Sequence, residues 1–401
     1  MSKPITHRPL WQSVSPSTSY DVVVVGAGGH GLATAHALAS KFGINNVAVI
    51  ERDWLGGGNT ARNAAIIRAN FLRADDRQLH LDAMAAWETL DDELDYATQF
   101  ERCGLVSLAH DDIDLAEGWR LINGLQHAGR SASFVSPKSL CEVAPLVNVS
   151  EDGALPVRGA FWFEDAGTAK HDRVAWGYAA AAQRLGVDIV EGCTVLDFIR
   201  HGDRVTGIDT NFGPIETGAV VLCAAGGTPT LLNRLRAPLP LQIRPLQAYV
   251  TELLAPLGTP MLMSRAAQLF LSQAAKGELV MGLPLDSRPA LHRRSSLDLL
   301  EEQLPRVIDL IPALRRAHLL RAWAGSVDLT PDGRPLIGID QPSGVVINCG
   351  WGTGGFKATP ILGELLATAV ADGMIPTLLA GYDHHRFDGQ STIPSTGLVA
   401  H

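Results

Sequence analysis

The hydrophobic positions of this chain change period several times, and each change marks an element. Val22 to Val25 form an unbroken β-branched run, which predicts a strand buried on both faces. An Ala- and Leu-rich stretch with helical spacing follows, and then a second short apolar run, Val47 to Ile50. Near the other end, Val345 to Asn348 predict a strand, residues 350–355 a glycine-rich turn, and residues 358–371 a helix. Between these ends, residues 186–227 alternate apolar and polar positions, with turns at "HGD" and "NFG". They predict a β-meander that closes on a buried strand, Ala219 to Cys223, and a glycine turn. "QAYVTELL", "QLFLSQ" and "ELVMGLPL" read as strands of another sheet, and "SLDLLEEQLPRVIDLIPAL" as a helical pair broken by Pro305. No internal repeat or low-complexity run interrupts this order.

Strand–glycine–helix units at both ends imply one domain assembled from separated segments: 20–71, 161–227 and 326–390. The intervening 72–160 and 228–325 form a second, substrate-binding domain on a mixed, largely antiparallel sheet. A chain of 401 residues suits two domains better than one core. The expected class is therefore α/β, a Rossmann-type nucleotide domain with an interleaved α+β domain. A net charge of −9 without a basic block excludes nucleic acid as a partner, and no apolar run is long enough to span a membrane. The cysteines number five, an odd count without CxxC spacing, so a reduced, cytoplasmic setting is expected and no zinc site. "MSKPITHRPLWQS" carries no apolar core of signal-peptide length.

The first strand runs into Gly26, Gly28 and Gly31 in G-x-G-x-x-G spacing, with a helix after them and Glu51 at the end of the second strand. That context makes the motif a dinucleotide fingerprint. Gly26 permits the tight turn, Gly28 lets backbone approach a pyrophosphate, and Gly31 lets helix and strand pack closely. The helix N-terminus attracts the pyrophosphate charge, and Glu51 accepts from ribose hydroxyls. Two further features favour FAD over NAD. The loop "RDWLGGGNTARNAAIIRANF" offers hydrogen-bonding Asn59 and Thr60 to a cofactor lying across the domain, and the C-terminal glycine turn can hold its far end. Asp332 in "TPDGRPLIG" reads as a structural turn residue, and His80, His110, His127, His292 and His318 as surface or core residues without ligand spacing.

With these pieces in place, "VVVVGAGGHGLATA", "WLGGGNTARNAAIIRANF", "AKHDRVAWGYA" and "NCGWGTGGFKATP" resemble the D-amino-acid-oxidase-like flavoproteins, most of all the beta subunits of heterotetrameric sarcosine oxidases. The resemblance covers nearly the whole chain. It implies non-covalent FAD held by Gly26, Gly28, Gly29, His30, Gly31, Glu51, Asn59, Thr60, Arg62, Ile66, Val195, Gly352, Gly354, Gly355 and Lys357. It implies FMN bound covalently through His171, at a boundary with a large alpha-type subunit that binds NAD and folate, with small gamma- and delta-type subunits completing the complex. Asp172 could orient His171, since a neutral imidazole is a competent nucleophile.

Arg68 and Lys357 match family positions that grip a substrate carboxylate, with Arg62 and Arg73 as alternatives to Arg68. The implied activity is oxidation of a secondary amino acid such as sarcosine. Dehydrogenation of proline, hydroxyproline or an opine is an alternative, as is an electron-relay subunit without an amine site. The segment 264–294 departs most from the family and is expected to line the substrate pocket. "FWFEDAG" also departs, placing two extra negative charges, Glu164 and Asp165, near the FMN site.

Overall fold

The computed structural model describes residues 10–274, 276–286 and 294–388. Part of the expected pocket segment, including His292, lies outside the described residues. The β-branched run becomes the strand Ser19–Val25 at the centre of an eight-stranded sheet. It lies parallel to Val47–Ile50 on one side and to Gly213–Leu222 on the other. Val345–Cys349 adds a parallel pairing beside the C-terminal end of Gly213–Leu222, with Val221 opposite Val346. The strand ends of both glycine motifs are thereby brought to one edge of one sheet.

The expected meander is present as Val195–His201, Arg204–Thr210 and Gly213–Leu222, all antiparallel. Asp188–Val190 does not join it. This strand pairs in parallel beyond Val47–Ile50, because its apolar Ile189 and Val190 are buried on the parallel side. The helices Gly29–Phe42, His171–Arg184 and Gly355–Asp372 contribute to one apolar core that includes Leu32, Leu38, Val49, Ala179, Leu362 and Leu366.

The second eight-stranded sheet runs in the order Leu319–Leu329, Gln242–Leu253, Glu278–Leu285, Leu269–Gln273, Met261–Ser264, Leu105–Ala109, Gly159–Phe163, Ala132–Val135. Its pairings are antiparallel except where Met261–Ser264 meets Leu105–Ala109. Gly159–Phe163 and Leu319–Leu329 belong wholly to this sheet, although each crosses an expected segment boundary. A small third sheet places Ile66–Arg68 and Glu101–Arg102 on either side of Ala166–Thr168.

The expected break at Pro305 is not there: one helix, Leu297–Leu310, runs through it. The chain turns at Ile311 instead, held extended at φ −132° and ψ 79°. The following Pro312 excludes the helical conformation from its neighbour, and a short 3-10 turn, Pro312–Arg316, replaces the second helix.

Candidate active site

The first glycine turn has the shape a pyrophosphate requires. Gly26 adopts φ +112°, and a side chain there would strike the Cys223 carbonyl of the neighbouring strand. A side chain at Gly31 would strike the Gly26 carbonyl, so the helix sits directly on the turn. Gly28 begins the helix without a side-chain cap, which leaves its N-terminal dipole and amides available to an anion. The Gly29 amide is engaged by Thr60 Oγ1 at 2.9 Å, so Thr60 orders the turn.

Glu51 accepts the Ala27 and Asp53 amides, each at 3.0 Å, one on each carboxylate oxygen. Burial raises its pKa while the Asp53 and Ala27 amides oppose the shift. Lone pairs remain for ribose hydroxyls. Val195 is buried near this end of the sheet, and its carbonyl accepts from Arg234 at 2.7 Å.

The loop residues act mainly as fasteners. Asn59 donates to the Ser326 carbonyl at 2.8 Å and accepts the Ser326 amide at 3.0 Å. Arg62 donates to the Gly57 and Gly58 carbonyls, and its own carbonyl receives Trp323 Nε1 at 2.9 Å. Arg73 is exposed and salt-bridged to Asp75, so neither alternative arginine is a free buried cation.

His30 joins the two glycine motifs. Its Nε2 lies 2.8 Å from the Gly355 carbonyl, its Nδ1 lies 3.3 Å from the Asn348 amide group, and its ring meets Trp351 edge-on. Burial pulls its pKa down to about 4. Gly352 donates to the Asp328 carbonyl at 2.9 Å, Gly350 to the Asp328 carboxylate at 2.6 Å, and Gly354 to Trp351 at 2.7 Å. The C-terminal helix begins at Gly355, earlier than its apolar pattern suggested, so Lys357 lies in its first turn.

Arg68 and Lys357 come together from opposite ends of the chain. Each is only 5% exposed. Arg68 donates to the Asn70 carbonyl at 3.1 Å and to its side-chain oxygen at 3.0 Å, and stacks over Phe71 with Cζ 4.7 Å from the ring centre. Lys357 Nζ donates to the Thr353 carbonyl at 2.7 Å. Among the described residues neither cation forms a salt bridge. Burial lowers Arg68 to about 10, with Glu117 opposing, and holds Lys357 well below the ordinary lysine value, with Arg68 adding repulsion. Two adjacent buried cations without a salt bridge among the described residues cost several kcal/mol. An anionic ligand would offset that cost, and a carboxylate fits a fork beside a point charge.

His80, expected to be a surface or core residue, belongs to this cluster instead. It stacks on Phe71, ring centres 4.0 Å apart, and both cations depress its pKa further after burial. Ile66 begins the strand that carries Arg68 and pairs with Thr168. His171 opens the helix His171–Arg184, and its Nδ1 is buried without a partner. Asp172, expected to orient it, makes no hydrogen bond to that nitrogen, and its carboxylate accepts the Arg173 amide at 2.9 Å. Burial lowers the His171 pKa, Asp172 opposes and Lys170 adds to it, which favours a neutral imidazole. Of the two extra acidic residues, Asp165 is neutralised, buried between Arg130, at 2.5 Å, and Arg102, at 2.9 Å, while Glu164 is exposed. Asp332 is a structural turn residue, accepting from Thr330, Arg334 and Arg386.

Two glycine turns facing one sheet edge, an acidic residue after the second strand and a buried cation pair define a flavin-dependent oxidoreductase of amino acids. The model of the FAD-dependent oxidoreductase family matches residues 21–369. Sarcosine oxidase subunit beta of Arthrobacter sp is 42% identical over 98% of this chain and 96% of its own length. That of Rhodobacter capsulatus is 39% identical over 98% of this chain and 94% of its own. L-proline dehydrogenase from P. horikoshii superposes with a TM-score of 0.86 at 27% identity, covering 93% of this chain and 98% of that one. The chain belongs to the FAD-dependent oxidoreductase family and, within it, to the sarcosine oxidase beta-subunit group.

Proposed function

We propose that this chain oxidises a secondary amino acid such as sarcosine. The net reaction is N-methylglycine, water and oxygen to glycine, formaldehyde and hydrogen peroxide, or to methylene-folate where a folate captures the one-carbon unit. The observation that carries the reading is the pair of buried cations, Arg68 and Lys357, which form no salt bridge among the described residues. When bound, the flavin supplies the hydride acceptor. Arg68 and Lys357 hold the carboxylate, which fixes the N-methyl C–H bond, on the far side of the amine nitrogen, relative to the cofactor. The fingerprint turn and Glu51 hold the adenosine diphosphate part of FAD, and the glycine turn at 350–355 holds the other end. In this reading 20–71, 161–227 and 326–390 bind FAD, and 72–160 with 228–325 shape the substrate side.

His171 carries covalent FMN in the same reading, supported by its neutral imidazole and uncommitted buried Nδ1. The FMN pocket is completed by a large alpha-type subunit that binds NAD and folate, and small gamma- and delta-type subunits complete the assembly, in the cytoplasm. The likeness to an L-proline dehydrogenase favours a second reading, in which a cyclic secondary amino acid is dehydrogenated.

One assay tests both readings. FAD-loaded protein is given N-methylglycine, proline, hydroxyproline, an opine and an amine without a carboxylate, with an artificial electron acceptor. Arg68→Met or Lys357→Met should lower kcat/KM for the carboxylate-bearing substrates on the order of 10²-fold, a loss of about 2–3 kcal/mol, and spare the simple amine. Equal losses on both substrate types would assign the two cations to the cofactor instead.

A further inference from the structure

The helix Ala74–Leu94 carries an apolar stripe at Ala83, Met84 and Trp87, and His80 occupies the next position of that stripe toward its N-terminus. A histidine there would ordinarily be packing. Three observations set it apart. Its ring stacks on Phe71, at 4.0 Å and an interplanar angle of 23°, and Phe71 also carries the Arg68 guanidinium. Its Nδ1 lies 2.7 Å from the Asp76 carbonyl. Its Nε2 is fully buried and makes no hydrogen bond, and the Gly354 carbonyl lies close enough to the ring to favour its charged form.

The tautomer follows from these contacts. Both nearby carbonyls, of Asp76 and Gly354, only accept, and since the formed hydrogen bond is the one to Asp76, Nδ1 carries the hydrogen. A neutral ring then presents Nε2 as a bare acceptor. The ring is neutral because burial and the neighbouring Lys357 and Arg68 push its pKa down to about 3, against the Asp76 and Gly354 carbonyls, which favour the cation. The Asp76 carboxylate does not reach the ring, being held by Arg334 at 3.0 Å and by the Tyr382 hydroxyl at 2.7 Å. That clamp fixes Asp76, and with it the carbonyl that orients His80. A buried acceptor left unmet costs about as much as a lost hydrogen bond. A leucine would fill the same stripe without that cost.

We propose that His80 Nε2 is a substrate contact, accepting a hydrogen bond from the amine N–H of the amino acid whose carboxylate lies on Arg68 and Lys357. The inference rests on the carboxylate reading above and adds a second attachment point to it. In an α-amino acid the nitrogen and the carboxylate are two bonds apart, so one molecule can reach both. The arrangement selects for a substrate that keeps an N–H, a primary or secondary amine. A tertiary amino acid such as N,N-dimethylglycine, bound as the free amine, has no donor for Nε2.

The experiment uses FAD-loaded protein and four variants: His80→Leu, His80→Gln, whose side-chain carbonyl can still accept, Arg68→Met and Lys357→Met. Acetate binding is followed by the perturbation of flavin absorbance, and KM and kcat are measured for N-methylglycine and N,N-dimethylglycine across pH. In His80→Leu, KM for N-methylglycine should rise about five- to tenfold, the loss expected of one hydrogen bond. Acetate binding should stay within about twofold, and His80→Gln should recover most of the loss. The preference for N-methylglycine over N,N-dimethylglycine should shrink in His80→Leu. Equal weakening of acetate and N-methylglycine, or an unchanged preference, would make His80 a packing residue and overturn the proposal. If Arg68→Met and Lys357→Met leave acetate binding unchanged, the carboxylate reading itself fails. If His80→Leu does not hold FAD, His80→Met, which also lacks a comparable acceptor, takes its place, and a KM and a preference unchanged from wild type in that variant rule the contact out.

Discussion

Glu51 shows how much one side chain can reveal. Its carboxylate orders the fingerprint turn through Ala27 and its own loop through Asp53, and the same group is available to ribose hydroxyls. Glu51→Arg should therefore release FAD while the chain stays folded, because a guanidinium cannot accept from a hydroxyl. Flavin content after gel filtration, read beside circular dichroism, checks this, and full FAD retention in a folded variant would count against the assignment. The tight turn at Gly26, the close packing at Gly31 and the place of Glu51 at a strand end were legible because the constraints on them are local. Arg68 and Lys357 were legible only through resemblance, since nothing local tells residues 68 and 357 that they meet. His80 was missed for the same reason. Its one available signal was a histidine on the apolar stripe formed with Ala83, Met84 and Trp87, a place where an imidazole has to find a partner.

Among the elements, the loop between Val47–Ile50 and Ile66–Arg68 depends on being pinned to the second sheet. Asn59 makes both hydrogen bonds to the backbone of Ser326, in the strand Leu319–Leu329. Asn59→Ala should cost about 2 kcal/mol, two net hydrogen bonds, and loosen the loop whose Thr60 holds the Gly29 amide. A lower urea midpoint together with weaker FAD retention is expected, and an unchanged midpoint would mean that the loop is held elsewhere. Element type was readable wherever period and length agreed, as at Val47–Ile50 and Glu278–Leu285. It failed where a neighbour outside the window decides. Asp188–Val190 alternates like the meander but pairs with Val47–Ile50, and the helix break came from Pro312 acting on Ile311 rather than from Pro305.

For the whole molecule, two properties follow from what the fold buries and what it leaves unfinished. His30 and His36 are pulled down to about 4, and His80 to about 3, each chiefly by burial. Below about pH 6.5 the unfolded chain binds protons that these folded imidazoles refuse, so stability falls as pH drops from 6.5 toward 4. For His30 that amounts to about 3 kcal/mol across the window. Asp328, raised to about 6 by burial, acts in the opposite sense, since the folded state holds its proton better between about 4 and 6. Three imidazoles outweigh it, so the thermal midpoint should be lower at pH 5 than at pH 7, and the drop should be smaller in His30→Gln. A midpoint that is flat or rises toward pH 5 would contradict this. The unfinished feature is His171, a neutral imidazole with one buried, partnerless nitrogen at the start of a helix, reached from the strand segment that neighbours Arg68. One chain supplies only part of a pocket for a second flavin in the proposed assembly, and an exposed isoalloxazine is poorly oriented for bond formation. The chain produced alone should therefore carry FAD and little or no covalent flavin. Co-expressed with its alpha-type partner, it should keep yellow fluorescence after denaturation, with the mass increment on the peptide containing His171. His171→Asn should abolish the increment and spare FAD. An assembled complex without any increment on that peptide would remove FMN from the scheme and leave a single-flavin amine dehydrogenase.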